Sequence, residues 1–198
     1  MISGTTLWYA SRATGVISLI LLSIVAILGI VVNRQGHLPG LPRFAVTGLH
    51  RSLSLLTVAF LGTHIVTAIA DGYVHIPWLS TIVPFSSPYE RFWIGLGTVA
   101  VDMTAAVIVT SLLRARLRPA VWRAVHWLAY ASYPVTLVHS MGASKDLRSG
   151  WLLGLTMASV FAVVTAIGYR IIDASGAIPR PRRVPQLIAR AEKTGSLR

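Results

Sequence analysis

The sequence contains no cysteine among its 198 residues. Disulfides, thiolate zinc sites, iron–sulfur clusters and covalently attached c-type haem are therefore excluded. Charge is also scarce, since 12% of the residues are charged and 54% are hydrophobic. Soluble domains carry about 25% charged residues, so this chain lacks the polar surface of a water-soluble enzyme. Several apolar runs approach the roughly 20 residues that cross a bilayer as a helix, which predicts a multi-spanning membrane protein.

Acidic residues are scarcer than basic residues. Six Asp and Glu stand against 18 Lys and Arg, which gives a formal net charge of +12. Basic residues placed around apolar spans more often mark membrane topology than nucleic-acid binding. We therefore expect a lipid membrane as a partner and no nucleic acid.

The apolar runs predict an all-α membrane helix bundle with five spans, because isolated strands leave backbone groups unsatisfied in lipid. An amphipathic lead-in, residues 7–12, extends the first helix, and a sixth span would have to lie between spans two and three. We expect residues 1–178 to form the membrane domain and residues 179–198 a basic tail. The predicted spans are Thr14–Val32, Leu49–Ala70, Phe92–Leu113, Val121–Met141 and Trp151–Ile172.

The distribution of basic residues predicts the orientation. Fourteen of the 18 Lys and Arg residues fall on one side of the predicted bundle, and that side carries the tail. The positive-inside rule places this side, and the C-terminus, in the cytoplasm of a plasma or inner membrane. The four on the opposite side are Arg12, Arg91, Lys145 and Arg148.

Other polar residues carry weaker predictions. The proline-rich connection Asp71–Arg91 is expected to be an outer loop at the headgroup level that covers part of the bundle. His37 and His75 are expected to be solvated, with contact between His75 and an acceptor or metal as the alternative. Asp102 lies deep in span three, where we expect it to be protonated or paired with a Ser, Thr or Arg.

Four of the six histidines lie inside two predicted spans, His50 and His64 in span two and His126 and His139 in span four. Imidazoles in hydrocarbon are costly and therefore candidates for function, the alternative being a hydrogen bond to a neighbouring helix. Intervals of 14 and 13 residues separate each pair by roughly 20 Å along its axis. Both spans run in the same direction, so each level holds one imidazole from each span. Imidazoles facing each other across a macrocycle make six-coordinate haem iron, and two levels predict two stacked b-type haems.

The two histidines of span four share a helix face less well than the two histidines of span two. An interval of 14 residues places His50 and His64 on one helix face, whereas 13 residues leave His126 and His139 about 140° apart on an ideal helix. Pro134 lies between the second pair and predicts a local distortion.

Glycine and arginine residues flank these histidines. Gly48 and Gly62 each precede a span-two histidine by two residues, and we expect them to let a haem ring lie against the backbone, with close helix packing as the alternative. Arg51 and Arg123 flank the inner histidines and are expected to meet haem propionates. The alternative is that they follow the positive-inside rule or snorkel.

The motifs His50-x13-His64 and His126-x12-His139 resemble the ferric reductase-like transmembrane domain, over roughly residues 10–172. That family includes the membrane halves of ferric reductases and NADPH oxidases and the haem-binding subunit of the bacterial methionine-sulfoxide reductase system. The resemblance implies haem b ligated by His50 with His126 and by His64 with His139. Members commonly have six spans. Larger relatives also carry a flavin and nicotinamide module, which is not expected in the 26 residues after span five.

The expected function is transmembrane electron transfer by the membrane subunit of an oxidoreductase without its own flavin domain. A flavoprotein reductase or a quinol would supply electrons to the inner haem, and an extracytoplasmic acceptor or partner oxidoreductase would take them from the outer haem. One alternative is a non-redox transporter or structural subunit whose histidines are packing residues. A second alternative keeps the haems and reverses the direction of electron flow.

Overall fold

The computed structural model describes residues 4–33, 42–72 and 74–175, and in these ranges the chain is all-helical, without a strand. The chain divides into two units, Met1–Ala166 and Ile167–Arg198. The predicted tail 179–198 and His37 lie outside the described residues. The helices are α1 (Gly4–Asn33), α2 (Arg43–Ala70), α3 (Arg91–Leu112), α4 (Pro119–His126), α5 (Leu128–Ala143) and α6 (Gly150–Ala174), with short 3-10 helices at Trp78–Thr81 and Asp146–Arg148.

Four helices are long and apolar enough to cross a membrane, and they correspond to predicted spans one, two, three and five. The lead-in before span one is helical, as expected, because α1 begins at Gly4. Length and apolar composition make these segments stable as helices in lipid, where every backbone group must be paired within the segment. The membrane-length segments are Thr5–Val32, Phe44–Ala70, Arg91–Leu112 and Gly150–Ile172.

Predicted span four is divided into two shorter helices, α4 and α5, at Trp127. Pro119 occupies the first turn of α4, where its fixed φ favours the helix and its missing N–H costs nothing. The Tyr130 N–H donates to the Trp127 carbonyl at 3.0 Å, a bond to the third residue back that is typical of a 3-10 turn. The prediction of five continuous membrane-length helices is therefore confirmed for four of them only.

The connection between α2 and α3 packs on the first half of α3. Ser80 is buried, and its carbonyl accepts a 2.6 Å hydrogen bond from Thr98 Oγ1. Phe85 adopts a left-handed backbone with φ 61°, and its ring lies against Gly95. The expected covering loop is therefore present. Its described residues contain no helix of membrane length, so they do not hold a sixth span.

Backbone packing joins α1 to α2, α3 to α5, and α1 to α5, whereas α2 has no comparable packing with α4 or α5 in the described ranges. The contact between α1 and α5 includes a buried hydrogen bond of 3.2 Å between Ser23 Oγ and the Tyr133 hydroxyl. Any link from α2 to α5 therefore depends on side chains or on a group that lies between these helices.

Tyr133→Phe is expected to destabilise the bundle by about 1 kcal/mol, because it removes one buried hydrogen bond and leaves Ser23 Oγ without this partner. The melting temperature of the purified protein in detergent measures the effect. Tyr169→Phe is the matched control, since Tyr169 is 55% exposed. Equal melting temperatures for the two variants would show that the Ser23–Tyr133 bond contributes nothing to stability.

Candidate functional site

The structure brings the four membrane histidines together in the two predicted pairs. His50 and His64 lie on α2, His126 ends α4, and His139 lies on α5. All four side chains are half-buried. The imidazole of His126 lies within electrostatic range of that of His50, and the imidazole of His139 lies within range of that of His64. We call His50 and His126 the inner pair and His64 and His139 the outer pair, after the predicted orientation.

The outer pair is anchored to backbone carbonyls of two other helices. His64 Nδ1 lies 2.7 Å from the Ser11 carbonyl oxygen on α1, and His139 Nδ1 lies 2.7 Å from the Trp93 carbonyl oxygen on α3. A carbonyl only accepts, so in each ring Nδ1 carries the proton and donates it. Nε2 of each ring is then unprotonated and has a free lone pair. This is the tautomer of a histidine that binds a metal through Nε2.

The inner pair is held differently. Nδ1 of His50 and Nδ1 of His126 are both buried and have no hydrogen-bond partner in the part of the chain that the structure describes. The Val25 carbonyl lies near His50 but outside hydrogen-bond geometry. The His126 ring stacks on Trp122, with centroids 4.9 Å apart and planes 26° apart. Ring packing rather than a hydrogen bond therefore orients His126.

Two glycines of α1 lie directly behind the α2 imidazoles. A Cβ built on Gly15 would lie 3.0 Å from His64 Cε1, and one on Gly29 would lie 3.4 Å from His50 Cε1. These two glycines are not among the residues predicted from the sequence. The signal that was available is their interval of 14 residues, which equals the interval between His50 and His64.

A third glycine supports the outer pair from α3. A Cβ on Gly97 would lie 2.7 Å from His139 Cε1, which is closer than side chains tolerate, so only glycine leaves room for this ring. Gly48 and Gly62, singled out from the sequence, are exposed. They have no atom within 4 Å of a built Cβ. They therefore contact no imidazole, and their predicted contact with a haem ring stays a prediction.

The helix break at Trp127 bears on the 13-residue interval between His126 and His139. A 3-10 turn rotates the chain by about 120° per residue instead of about 100°. The Tyr130–Trp127 bond therefore adds rotation in the direction that reduces the shortfall on an ideal helix. Pro134, where the sequence predicts a distortion, lies inside the uninterrupted helix α5, and the helix break lies at Trp127 instead.

A family profile described as "Ferric reductase like transmembrane component" matches residues 14–137, which is more than half of the chain. The chain belongs to the ferric reductase-like transmembrane family. The match includes His50, His64 and His126 and ends two residues before His139. Neither a curated protein nor a solved structure matches the chain. Domains of this family are generally haem-binding, and membership indicates a role in transmembrane electron transfer.

The arginines of this ferric reductase-like domain lie at its surface. Arg51 and Arg123, the predicted propionate partners, are exposed. Arg12, one of the four basic residues on the predicted outer side, forms an ion pair with Asp146 and lies 3.9 Å from the centre of the Trp8 ring. Arg12 therefore ties α1 to the segment after α5.

The remaining polar candidates lie apart from the histidine pairs. Asp102 is exposed on α3, and its predicted pairing with a Ser, Thr or Arg is not found among the described residues. His75 is exposed beside a cleft of about 590 Å³ that Val74, Pro88 and Tyr89 also line. Within the described ranges, no three His, Asp or Glu side chains form a group that would hold a metal ion. The membrane histidines of the ferric reductase-like domain lie in two pairs instead.

Proposed function

We propose that this chain is a di-haem b-type cytochrome of the membrane that transfers electrons across the bilayer. The inner pair would hold one haem and the outer pair the other. When bound, haem supplies a one-electron redox couple at its iron, while the protein supplies ligands, spacing and a dry environment. With two imidazoles at each level, a bound haem would have no ligand position left for oxygen, which favours electron transfer over oxygen binding.

The observation that carries this proposal is that the imidazoles of α2 lie near those of α4 and α5, although the backbone of α2 does not pack closely on either helix. The histidines of α2 lie within electrostatic range of those of α4 and α5, yet α2 lacks comparable backbone packing with either helix in the described ranges. A flat ring held between these helices would account for imidazoles that approach each other without backbone packing. The outer histidines also present unprotonated Nε2 atoms, because each Nδ1 donates to a carbonyl.

Glycine and arginine residues complete the proposed sites. Gly48 and Gly62 lie beside the inner and outer histidines of α2 without a neighbouring atom at a built Cβ, so a ring can approach the helix there. Arg51 and Arg123 are exposed on the predicted cytoplasmic side, where we propose that they meet the propionates of the inner haem.

The orientation and partners are part of the same proposal. The positive-inside rule places the C-terminus in the cytoplasm, so the inner pair faces the side of the electron donor. That donor is a separate flavoprotein reductase or a quinol in the membrane. The acceptor, or a partner oxidoreductase, would approach the opposite side, where the loop carrying His75 lies.

A non-redox role is the second candidate, and one observation favours it. Both outer histidines hydrogen-bond to carbonyls of neighbouring helices, which is what a purely structural histidine in a membrane does. Such a role does not require histidines to face each other across the bundle at two levels. The two candidates differ in whether the purified protein carries haem.

Electron transfer can be measured in sealed vesicles that contain the haem-loaded protein and trapped ferricyanide. Adding a membrane-impermeant reductant outside is expected to reduce the trapped ferricyanide, because the two haem levels connect the two surfaces. Vesicles carrying the His64→Ala, His139→Ala double variant are expected to match protein-free vesicles. Equal rates in all three preparations would contradict the proposal.

A further inference from the structure

The two histidine pairs differ in the hydrogen bonds of their distal ring nitrogens. Both outer rings donate Nδ1–H to a carbonyl oxygen at 2.7 Å. Neither inner ring has such a partner in the described part of the chain, although both Nδ1 atoms are buried. The acceptors at the outer pair are backbone carbonyls, those of Ser11 on α1 and Trp93 on α3.

We infer that the carbonyls of Ser11 and Trp93 are positioning groups that make the outer pair the more basic ligands and give the outer haem the lower midpoint potential. This inference rests on the proposed function, because it concerns how the chain tunes two haems. The inference adds a difference in midpoint potential between the two haem sites. Two identical pairs of histidine ligands would not by themselves predict this difference.

The physical reason lies in the charge on the ligand nitrogen. An imidazole that donates Nδ1–H to an acceptor gains electron density at Nε2, which raises its basicity as a metal ligand. A more basic ligand stabilises ferric iron more than ferrous iron and so lowers the potential. At the outer level both imidazoles donate such a bond, whereas at the inner level only His50 has a weaker backbone interaction, with Val25.

Positive surface charge near the inner pair would also make the midpoint potential of the inner haem the higher of the two. Arg51 is adjacent to His50, and Arg123 lies one helical turn before His126. Positive charge near an iron centre favours its reduced state, because reduction removes one positive charge. The inner haem therefore has the higher potential on both grounds, and a single electron added to the protein resides mainly at the inner level.

Glycines behind the α2 rings provide a matched pair of variants. A Cβ at Gly15 would lie 3.0 Å from both Cε1 and Nδ1 of His64, which is tighter than most Cβ contacts. We therefore expect the ring to move slightly and its hydrogen bond to the Ser11 carbonyl to weaken. A Cβ at Gly29 would make an ordinary contact of 3.4 Å with His50 Cε1, and this ring has no hydrogen bond to lose in the described structure.

Redox titration of the haem absorption in the purified, haem-loaded protein tests the inference. The His64→Ala, His139→Ala variant is expected to retain only the higher of the two wild-type midpoints, and the His50→Ala, His126→Ala variant only the lower. Gly15→Ala is expected to raise the lower midpoint. Gly29→Ala is expected to shift the higher midpoint by less than Gly15→Ala shifts the lower one.

The outcomes separate this inference from the proposed function. Wild-type protein without haem would refute the proposed function itself. Two haems with the higher midpoint retained by the outer pair would refute the inference and leave the proposed function standing. A folded Gly15→Ala protein with unchanged midpoints would show that the carbonyl is not the cause. The ligand-pair variants decide the order of the midpoints even where Gly15→Ala does not fold.

Discussion

Replacing both His64 and His139 by alanine is expected to halve the haem content of the purified protein. If each haem is held by two imidazoles, as the proposed function states, removing one pair abolishes one site and leaves the other with both ligands. Replacing His50 and His126 is expected to have the same effect on the other site, and replacing all four should remove haem completely. Haem extracted into pyridine and quantified against protein measures these ratios.

His75→Ala is the control, because this exposed histidine lies in the loop between α2 and α3 and away from both pairs. Its haem content is expected to equal that of the wild type. A quadruple variant that still carried two haems, while remaining folded, would exclude these histidines as ligands. Protein without haem before any substitution would favour the structural role for the histidines.

Gly97→Ala is expected to empty the outer site and lower the melting temperature. The added methyl group would lie 2.7 Å from His139 Cε1, so the ring must leave its place against α3 and move away from the Trp93 carbonyl. Overpacking of this kind costs about 1–3 kcal/mol. Haem content is expected to fall by about half, since His64 would be left as the sole histidine of the proposed outer site. Haem quantification and thermal unfolding of the same preparation measure both effects.

Gly154→Ala is the matched control for this substitution. It is a glycine in α6 with no atom within 4 Å of a built Cβ, and alanine in a helix is favoured over glycine by about 1 kcal/mol. Its haem content should equal that of the wild type, with stability unchanged or slightly increased. Identical haem loss in the two variants would mean that glycine at position 97 has no special relation to His139.

Much of the fold and the pairs of histidines could be predicted from the sequence. Apolar length alone predicts α1, α2, α3 and α6, because lipid permits few alternatives to a continuous helix. The histidine intervals and the common direction of two spans predict which imidazoles share a level. These inferences need only local composition and helix geometry, which do not depend on tertiary contacts.

Other features of the site could not be predicted because they depend on contacts between helices. Gly15 and Gly29 contact the histidines only because α1 packs against α2 with these two glycines facing His64 and His50. Nothing in the sequence distinguishes Gly97 from the neighbouring Gly95, which contacts Phe85 instead. The turn at Trp127 carries no proline or glycine of its own, so its position follows from packing rather than from a local signal.

The equal intervals in α1 and α2 have a consequence for how the chain can vary. Gly29 lies behind His50 and Gly15 behind His64, so the two helices run antiparallel with matched lengths between these contacts. One residue inserted into α1 between the glycines would turn one of them by about 100° relative to the other. Substitutions in this stretch can therefore be compensated by repacking, whereas an insertion or deletion in α1 requires an equal change in α2.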